Sequence, residues 1–238
     1  MGDLLRKYIE EKNRLMESEN IVSEIAEIRN DKLLSMVFDM FYSLRPLRRK
    51  RVEVCEHPEY GVIVVGKWIR VKNTWHTYGY LVHDPDELYR VIVSCGDKIA
   101  DHVSKAKSEI FRELVSLARK IKLYDVTVER KINAPIPSKQ TLYDGKIKYY
   151  MCDRIRVYSS SPSYLYADIC DGRECYTDMF CVDNATTVIV FEDIIDDVNE
   201  LYRELKEKIY RLKAENDKVI SKMKELVAAY SIVWGRKR

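Results

Sequence analysis

The residues closest to a catalytic pattern are Glu129-Arg130-Lys131. On a strand, residues two apart share a face, so Glu129 and Lys131 stand together. Some nucleases use such a pair, with an acid from upstream, to hold Mg²⁺ and position a water. Asp97, Asp101 or Asp125 would have to be that acid. Alternating charge on an exposed strand explains the same three residues without chemistry. His57, His76, His83 and His102 show neither metal-ligand nor triad spacing. The eight glycines never form a phosphate-cradling G-x-G-x-x-G. No cofactor and no metal are expected, and the chain reads as non-enzymatic.

A binding chemistry is better represented. From Lys146 to Tyr158 the residues alternate, with Lys146, Lys148, Tyr150, Cys152, Arg154, Arg156 and Tyr158 on one face. The other face carries Ile147, Tyr149, Met151, Ile155 and Val157, interrupted by Asp153. Cations for phosphates and rings for stacked bases are what single-strand binders present. Trp68, Arg70 and Lys72 form a second, shorter group of the same kind. Against this, residues 159–200 hold ten Asp/Glu and only Arg173 among cations, ample material to neutralise such a face. The run Arg45, Arg48, Arg49, Lys50, Arg51 reads either as a phosphate patch or as a match for a helix N-terminus.

Cys170-Asp-Gly-Arg-Glu-Cys175 spans a hairpin tip. If all four intervening residues form the loop, the cysteines are cross-strand neighbours and can close a disulfide. If the loop is only Asp171-Gly172, Cys170 faces Arg173 and they cannot. The spacing to Cys181 does not suit zinc.

The elements that must position these residues begin with the carboxy-terminal helix. An apolar heptad runs through Ile195, Val198, Tyr202, Leu205, Ile209, Leu212, Asn216, Val219, Met223, Leu226, Tyr230 and Val233. Eleven of these twelve positions are apolar or aromatic, an a/d coiled-coil pattern that needs a helical partner. At 1.5 Å per residue the seam is roughly 57 Å long, enough for a stalk. A parallel zipper between copies would set Lys208 against Lys213 and give Leu201, Ile220 and Val227 no charge complement. Antiparallel pairing with the amino-terminal helix is preferred, because the basic run Arg45–Arg51 would then meet Glu192, Asp193, Asp196, Asp197 and Glu200. Asn216 reads as a register-setting polar residue or as a polar layer facing water.

Residues 3–44 read as one long helix ended by Pro46. Between the terminal helices, strands are expected at 62–65, 68–71 and 78–82. Asp84-Pro85-Asp86-Glu87 opens a helix reaching Ser94, and Cys95-Gly96-Asp97 breaks it before a second helix with Ile99, Val103, Ile110, Leu114 and Ile121 on one face. Further strands follow at 124–132 and 187–191, with a loop at Pro135 and Pro137 and hairpin turns at Asp144-Gly145 and Asp171-Gly172. The expected architecture is α+β: a mixed or antiparallel sheet with two core helices, and long terminal helices paired as a coiled-coil-like stalk. In segments, that is a helix at 1–48, an α+β domain at 49–191 and a coiled-coil helix at 192–238.

Composition places the molecule more broadly. Charged residues reach 33% with a net charge of only +3, and Gln140 is the one glutamine beside abundant Lys, Glu, Ile, Val and 17 Tyr. Few thermolabile amides with many ionic and β-branched residues is a hyperthermophile pattern, in which intracellular disulfides are genuine. In this composition the chain resembles uncharacterised proteins of hyperthermophilic archaeal viruses. That resemblance implies a place in the host cytoplasm or in a virion. Met1 to Lys12 has no apolar h-region, and no apolar run approaches a membrane span of roughly 20 residues. The leading expectation is a structural or interaction protein that forms dimers through its terminal helices. A single-stranded nucleic-acid-binding protein comes second, and a Mg²⁺-dependent nuclease third. No membrane partner is expected.

Overall fold

A computed structural model describes residues 2–44, 51–66, 68–72, 80–137, 149–182 and 194–235. The elements are α1 (Gly2–Glu27), α2 (Asn30–Ser43), β1 (Val52–His57), β2 (Gly61–Val65), β3 (Ile69–Lys72), β4 (Tyr80–Leu81), α3 (Pro85–Asp101), α4 (Lys105–Ala118), β5 (Thr127–Pro137), β6 (Tyr149–Tyr158), β7 (Tyr164–Cys170), β8 (Cys175–Cys181) and α5 (Ile195–Gly235). The fold is α+β with two antiparallel four-stranded sheets, β1-β2-β3-β4 and β5-β6-β7-β8, each in sequential order. Contacts gather into two compact units, Met1–Ile28 with Tyr124–Leu212, and Arg29–Leu123 with Lys213–Arg238. These are not the segments 1–48, 49–191 and 192–238 expected from sequence.

In the first unit α1 and the leading half of α5 cover one face of the β5–β8 sheet. Ile21, Val22 and Ile25 of α1 and Val198, Leu201, Tyr202, Leu205 and Ile209 of α5 share one core with Val128, Ile155, Val157, Leu165 and Ile169. The leading half of the apolar stripe of α5, as far as Ile209, is therefore met chiefly by a sheet of its own chain. Leu201, beside the heptad seam, is fully buried. It widens the stripe beyond a/d to the breadth of a core-facing helix in a globular protein. α1 does lie alongside α5, but in the same direction: Arg14 pairs with Asp196 at 3.3 Å, and ten residues further along both helices Glu24 pairs with Lys206. Glu17 takes Arg203 at 2.6 Å between them. This corrects the antiparallel expectation, and the physical reason is local. The acids at the start of α5 are claimed by Arg14 and by Arg130 of β5, which reaches Asp197, Glu200 and Glu204.

In the second unit Asp84 caps α3 by accepting from the backbone N–H groups of Asp86 and Glu87 at 2.8 and 3.0 Å, with Pro85 in the first turn, as the sequence foretold. The expected break at Cys95-Gly96-Asp97 does not occur. α3 continues to Asp101, because Gly96 serves close packing: a Cβ there would lie 2.6 Å from Val115 Cγ1 of α4. The expected single helix at 3–44 is two, parted at Ile28-Arg29, where the chain passes from one unit to the other. α2 restarts after Arg29, whose backbone is extended and makes no side-chain cap, with Asp31 in the first turn, where its charge suits a helix N-terminus. β5 extends through Pro135 and Pro137 instead of ending in a loop; it is an edge strand, where proline costs no ladder bond. The expected turn at Asp144-Gly145, the strand at 187–191 and most of the Arg45–Arg51 run lie outside the described residues.

Candidate interaction face

The outward side of the β5–β8 sheet carries Arg154, Arg156 and Tyr158 of the residues that the sequence singled out for binding. Its geometry follows from a bulge. Along β6 the ladder with β7 runs Cys152↔Ile169 and then Arg154↔Asp168, so Asp153 is an extra residue without its own partner. An extra residue flips the side-chain alternation. After it, Ile155 and Val157 face the core and Arg154, Arg156 and Tyr158 face outward; before it, Tyr150 and Cys152 take the core side and Tyr149 and Met151 the outer side. The expected face of Tyr150, Cys152, Arg154, Arg156 and Tyr158 is thus split. Tyr150 packs against the core and meets Tyr176 edge-on, and Cys152 is fully buried with its thiol pushed up to about 11 by desolvation. Lys146 and Lys148 lie outside the described residues.

Directly opposed residues of neighbouring strands give the outer face as cross-rows. Pro135, Met151, Cys170 and Cys175 form the first; Lys131, Arg154, Asp168 and Thr177 the second; Glu129, Arg156, Tyr166 and Met179 the third. Tyr149 lies beyond the first row, and Tyr158 and Tyr164 beyond the third. The centre is ionic and closed on itself. Asp168, the least exposed of its charges, takes Arg156 at 2.6 Å and Arg154 at 3.5 Å, and Glu129 holds Arg154 at 3.3 Å. The guanidinium of Arg154 is held above its ordinary pKa, first by its hydrogen bond to Glu129. The acid-rich stretch after residue 159 supplies Asp168, as its composition suggested.

The two ends of the face are apolar. Tyr149 is 61% exposed, Met151 42%, Tyr164 38% and Met179 45%. Those four are among only eleven large hydrophobic side chains exposed among the described residues, so this face concentrates them. Tyr158 and Tyr166 pack edge-to-face beside them, ring centres 4.9 Å apart. Sequence reasoning missed Tyr149, Met151, Tyr164, Tyr166 and Met179. The bulge is the reason for the first two, and no marker such as glycine signals it. The Tyr-x-Tyr of β7 was a legible outward alternation.

Other predicted residues are placed elsewhere. Glu129 and Lys131 do share the outer face, but Glu129 is engaged by Arg154, and Asp97 and Asp101 are held by Arg119 and Arg112 in the other unit. Among the described residues no group of three or more His, Cys, Asp or Glu could hold a metal. Trp68 stacks on Tyr42 with ring centres 5.7 Å apart, and Lys72 pairs with Glu53. Arg70 is half-buried on β3. Cys170 and Cys175 oppose each other with Cα atoms 4.1 Å apart and sulfurs at disulfide distance, so the four-residue loop is the one adopted. A second pair, Cys55 and Cys95, joins β1 to α3.

Within α5, Ile195, Val198, Tyr202, Leu205, Ile209, Asn216 and Met223 are buried, and Leu212, Val219, Leu226 and Tyr230 are half-buried. The side chain of Val233 lies outside the described residues. Asn216 neither faces water nor sets a register between helices. Its Oδ1 accepts from the Lys122 N–H at 2.9 Å and its Nδ2 donates to the Lys122 carbonyl at 2.7 Å. A second buried asparagine, Asn199, works similarly in the first unit, accepting from Ser18 Oγ and donating to the Arg14 carbonyl at 3.2 Å. Among the described residues no helix is long and apolar enough to cross a membrane. No protein-family model matches the chain, and neither a curated protein nor a solved structure does.

Proposed function

We propose that this chain is a non-enzymatic structural protein that assembles with a second copy of itself through the outer face of the β5–β8 sheet. The observation that carries this reading is the division of apolar surface in that unit. The leading half of the α5 stripe that suggested a helical zipper is spent on the core, while Tyr149, Met151, Tyr164 and Met179 stay in water on the opposite side. Tyr, Met and Arg are the residues that interfaces enrich.

A second copy fits better than an unlike partner because the face is self-complementary. Lys131, Arg154 and Arg156 balance Glu129, Asp153 and Asp168, so a copy laid upon it meets no net charge. Sheets stack face to face with strands nearly aligned, about 10 Å apart. A two-fold axis lying across the strands reverses them. It would set the Tyr149–Met151 end of one copy over the Tyr164–Met179 end of the other and keep the ionic centre over the ionic centre. The same neutrality weighs against nucleic acid, whose affinity comes from cations that neutralise phosphates. The hyperthermophile-like composition accords with a face rich in ion pairs.

Sedimentation equilibrium of the full chain is the test. A dimer is expected, with Tyr149→Ser or Met179→Ser weakening it by at least about tenfold. Tyr210→Ser, an exposed change on α5, should leave it unaltered. A monomer at every concentration, or a dimer indifferent to both face variants, would sink the proposal. Oligonucleotide binding that falls steeply with salt and needs Arg156 would put the nucleic-acid reading in its place.

A further inference from the structure

We infer that the Cys170–Cys175 pair is a reversible dithiol–disulfide site on the assembly face, and that its redox state sets how tightly two copies hold together. The inference rests on the sheet-face reading above and adds a regulation to it. Two observations carry it, the position of the sulfurs and the unequal demands on the two pairs.

Position comes first. Cys170 and Cys175 end the cross-row that starts with Pro135 and Met151, on the outward side of the sheet. Cys175 is exposed and Cys170 half-buried. Exchange requires a thiolate to reach a sulfur, and here one is in water. Cys95, in contrast, is only 3% exposed and Cys55 half-buried, so neither sulfur of that pair is exposed, and the pair ties β1 to α3 inside the second unit. Two cysteine pairs of one chain thus differ in access.

The second observation concerns what opening would do. The hairpin pair closes a chain separation of 5 residues, and the other pair one of 40. In the chain-entropy account the stabilisation grows with the logarithm of loop size, so the hairpin pair shifts the folding equilibrium by a factor roughly twentyfold smaller than the other pair does. The hairpin has other supports. Seven consecutive β7–β8 partners run from Tyr164↔Cys181 to Cys170↔Cys175. At the tip, the Asp171 carboxylate accepts from the N–H groups of Arg173 and Glu174 at 3.2 and 3.0 Å, and Gly172 takes the positive φ that the turn requires. The hairpin therefore survives opening, while the end of the face changes. A compact sulfur bridge beside Met151 becomes two separately rotating thiols, and the strand ends lose their tie.

The chemistry is a balanced two-electron exchange with a dithiol reductant. One reductant thiolate attacks Cys175 Sγ, the S–S bond breaks, and the Cys170 thiolate leaves and takes up a proton. The second reductant thiolate then attacks the reductant's sulfur in that mixed disulfide. Cys175 leaves as a thiolate and takes up the second proton, and two protein thiols and the reductant's own disulfide remain.

The test has two arms on the full-length chain. Graded dithiothreitol followed by alkylation and peptide mass analysis should label Cys170 and Cys175 at least about tenfold faster than Cys55 and Cys95. Equal rates, or earlier opening of Cys55–Cys95, would overturn the site. In the second arm, sedimentation equilibrium is repeated under the mildest reduction that opens the hairpin pair, and with the Cys170→Ser/Cys175→Ser double variant. Both should raise the dimer dissociation constant about tenfold, with circular dichroism unchanged. An unshifted constant refutes the regulation while leaving the sheet-face dimer standing. A chain that is monomeric even when oxidised refutes that dimer, and the labelling arm still decides whether the pair is a dithiol site.

Discussion

Tyr202 buries one of the few side-chain polar atoms among the described residues that find no partner. It is fully buried against the β5–β8 sheet, and its hydroxyl finds no hydrogen-bond partner. An unpaired hydroxyl in an apolar core costs about 1–3 kcal/mol, whereas the ring contributes packing. Burial, with a smaller contribution from nearby Cys181, lifts its phenol well above the ordinary value of about 10. The sign of the pH effect follows. Below pH 10 both folded and unfolded chains keep the proton; above it only the unfolded chain releases it, so stability falls as pH rises. Tyr202→Phe should therefore gain about 1 kcal/mol at neutral pH and flatten the alkaline decline, read from urea midpoints between pH 8 and 11. A variant less stable than the parent at pH 8 would mean that the hydroxyl has a partner. At this scale the sequence was legible wherever a residue type allows one fate. Six of the eleven apolar seam positions are buried and four half-buried, and Asp84-Pro85 starts a helix. Asn216 was not legible, because its partner is the backbone of Lys122, which carries no mark in its side chain.

Helices and strands were recovered better than their companions were. The heptad of α5 correctly announced a long amphipathic helix, but periodicity reports that a face is covered, not by what. A sheet covers it as well as a helix does, and only the breadth of the stripe, through Leu201, distinguished the two. The alternation of strand faces failed where an irregularity is silent in sequence, as at Asp153. Gly96 failed for the opposite reason. Glycine commonly breaks helices, yet here it lets α3 approach α4. That explanation can be measured. Gly96→Ala gains up to about 1 kcal/mol of helix propensity but drives a methyl to 2.6 Å from Val115, and overpacking costs typically 1–3 kcal/mol. The net expectation is a loss of about 1–2 kcal/mol in urea unfolding. In a Val115→Ala background the same substitution should become neutral or stabilising, since the neighbour that it strikes has gone. Equal losses in both backgrounds would point to the glycine backbone itself instead of to the contact.

At the scale of the whole molecule, each compact unit is built from two separate stretches of chain, and α5 supplies residues to both. Linear reading favours contiguous segments, which is why the sequence suggested a central domain flanked by helices; nothing in composition changes at Ile28 or Leu123 to announce a crossing. The two halves of α5 nevertheless differ in what they serve. Leu205 belongs to the core of the first unit, with Ile155 and Leu165. Met223 is fully buried in the second, to which Asn216 also fastens the backbone at Lys122. If the units owe their stability to separate cores, a charge placed in one half should loosen one unit alone. Amide hydrogen exchange followed by mass spectrometry resolves this peptide by peptide. Leu205→Asp is expected to raise exchange in β5–β8 and in the packed part of α1, leaving α3 and α4 protected. Met223→Asp should do the reverse, loosening α2, α3 and α4 while the β5–β8 ladder keeps its protection. Burying an unpaired carboxylate costs several kcal/mol, comparable to the stability of a domain of this size, so the contrast will be large. If either substitution raised exchange throughout the chain, the two cores would be one cooperative unit, and the outer face of β5–β8 could not be perturbed without disturbing the rest.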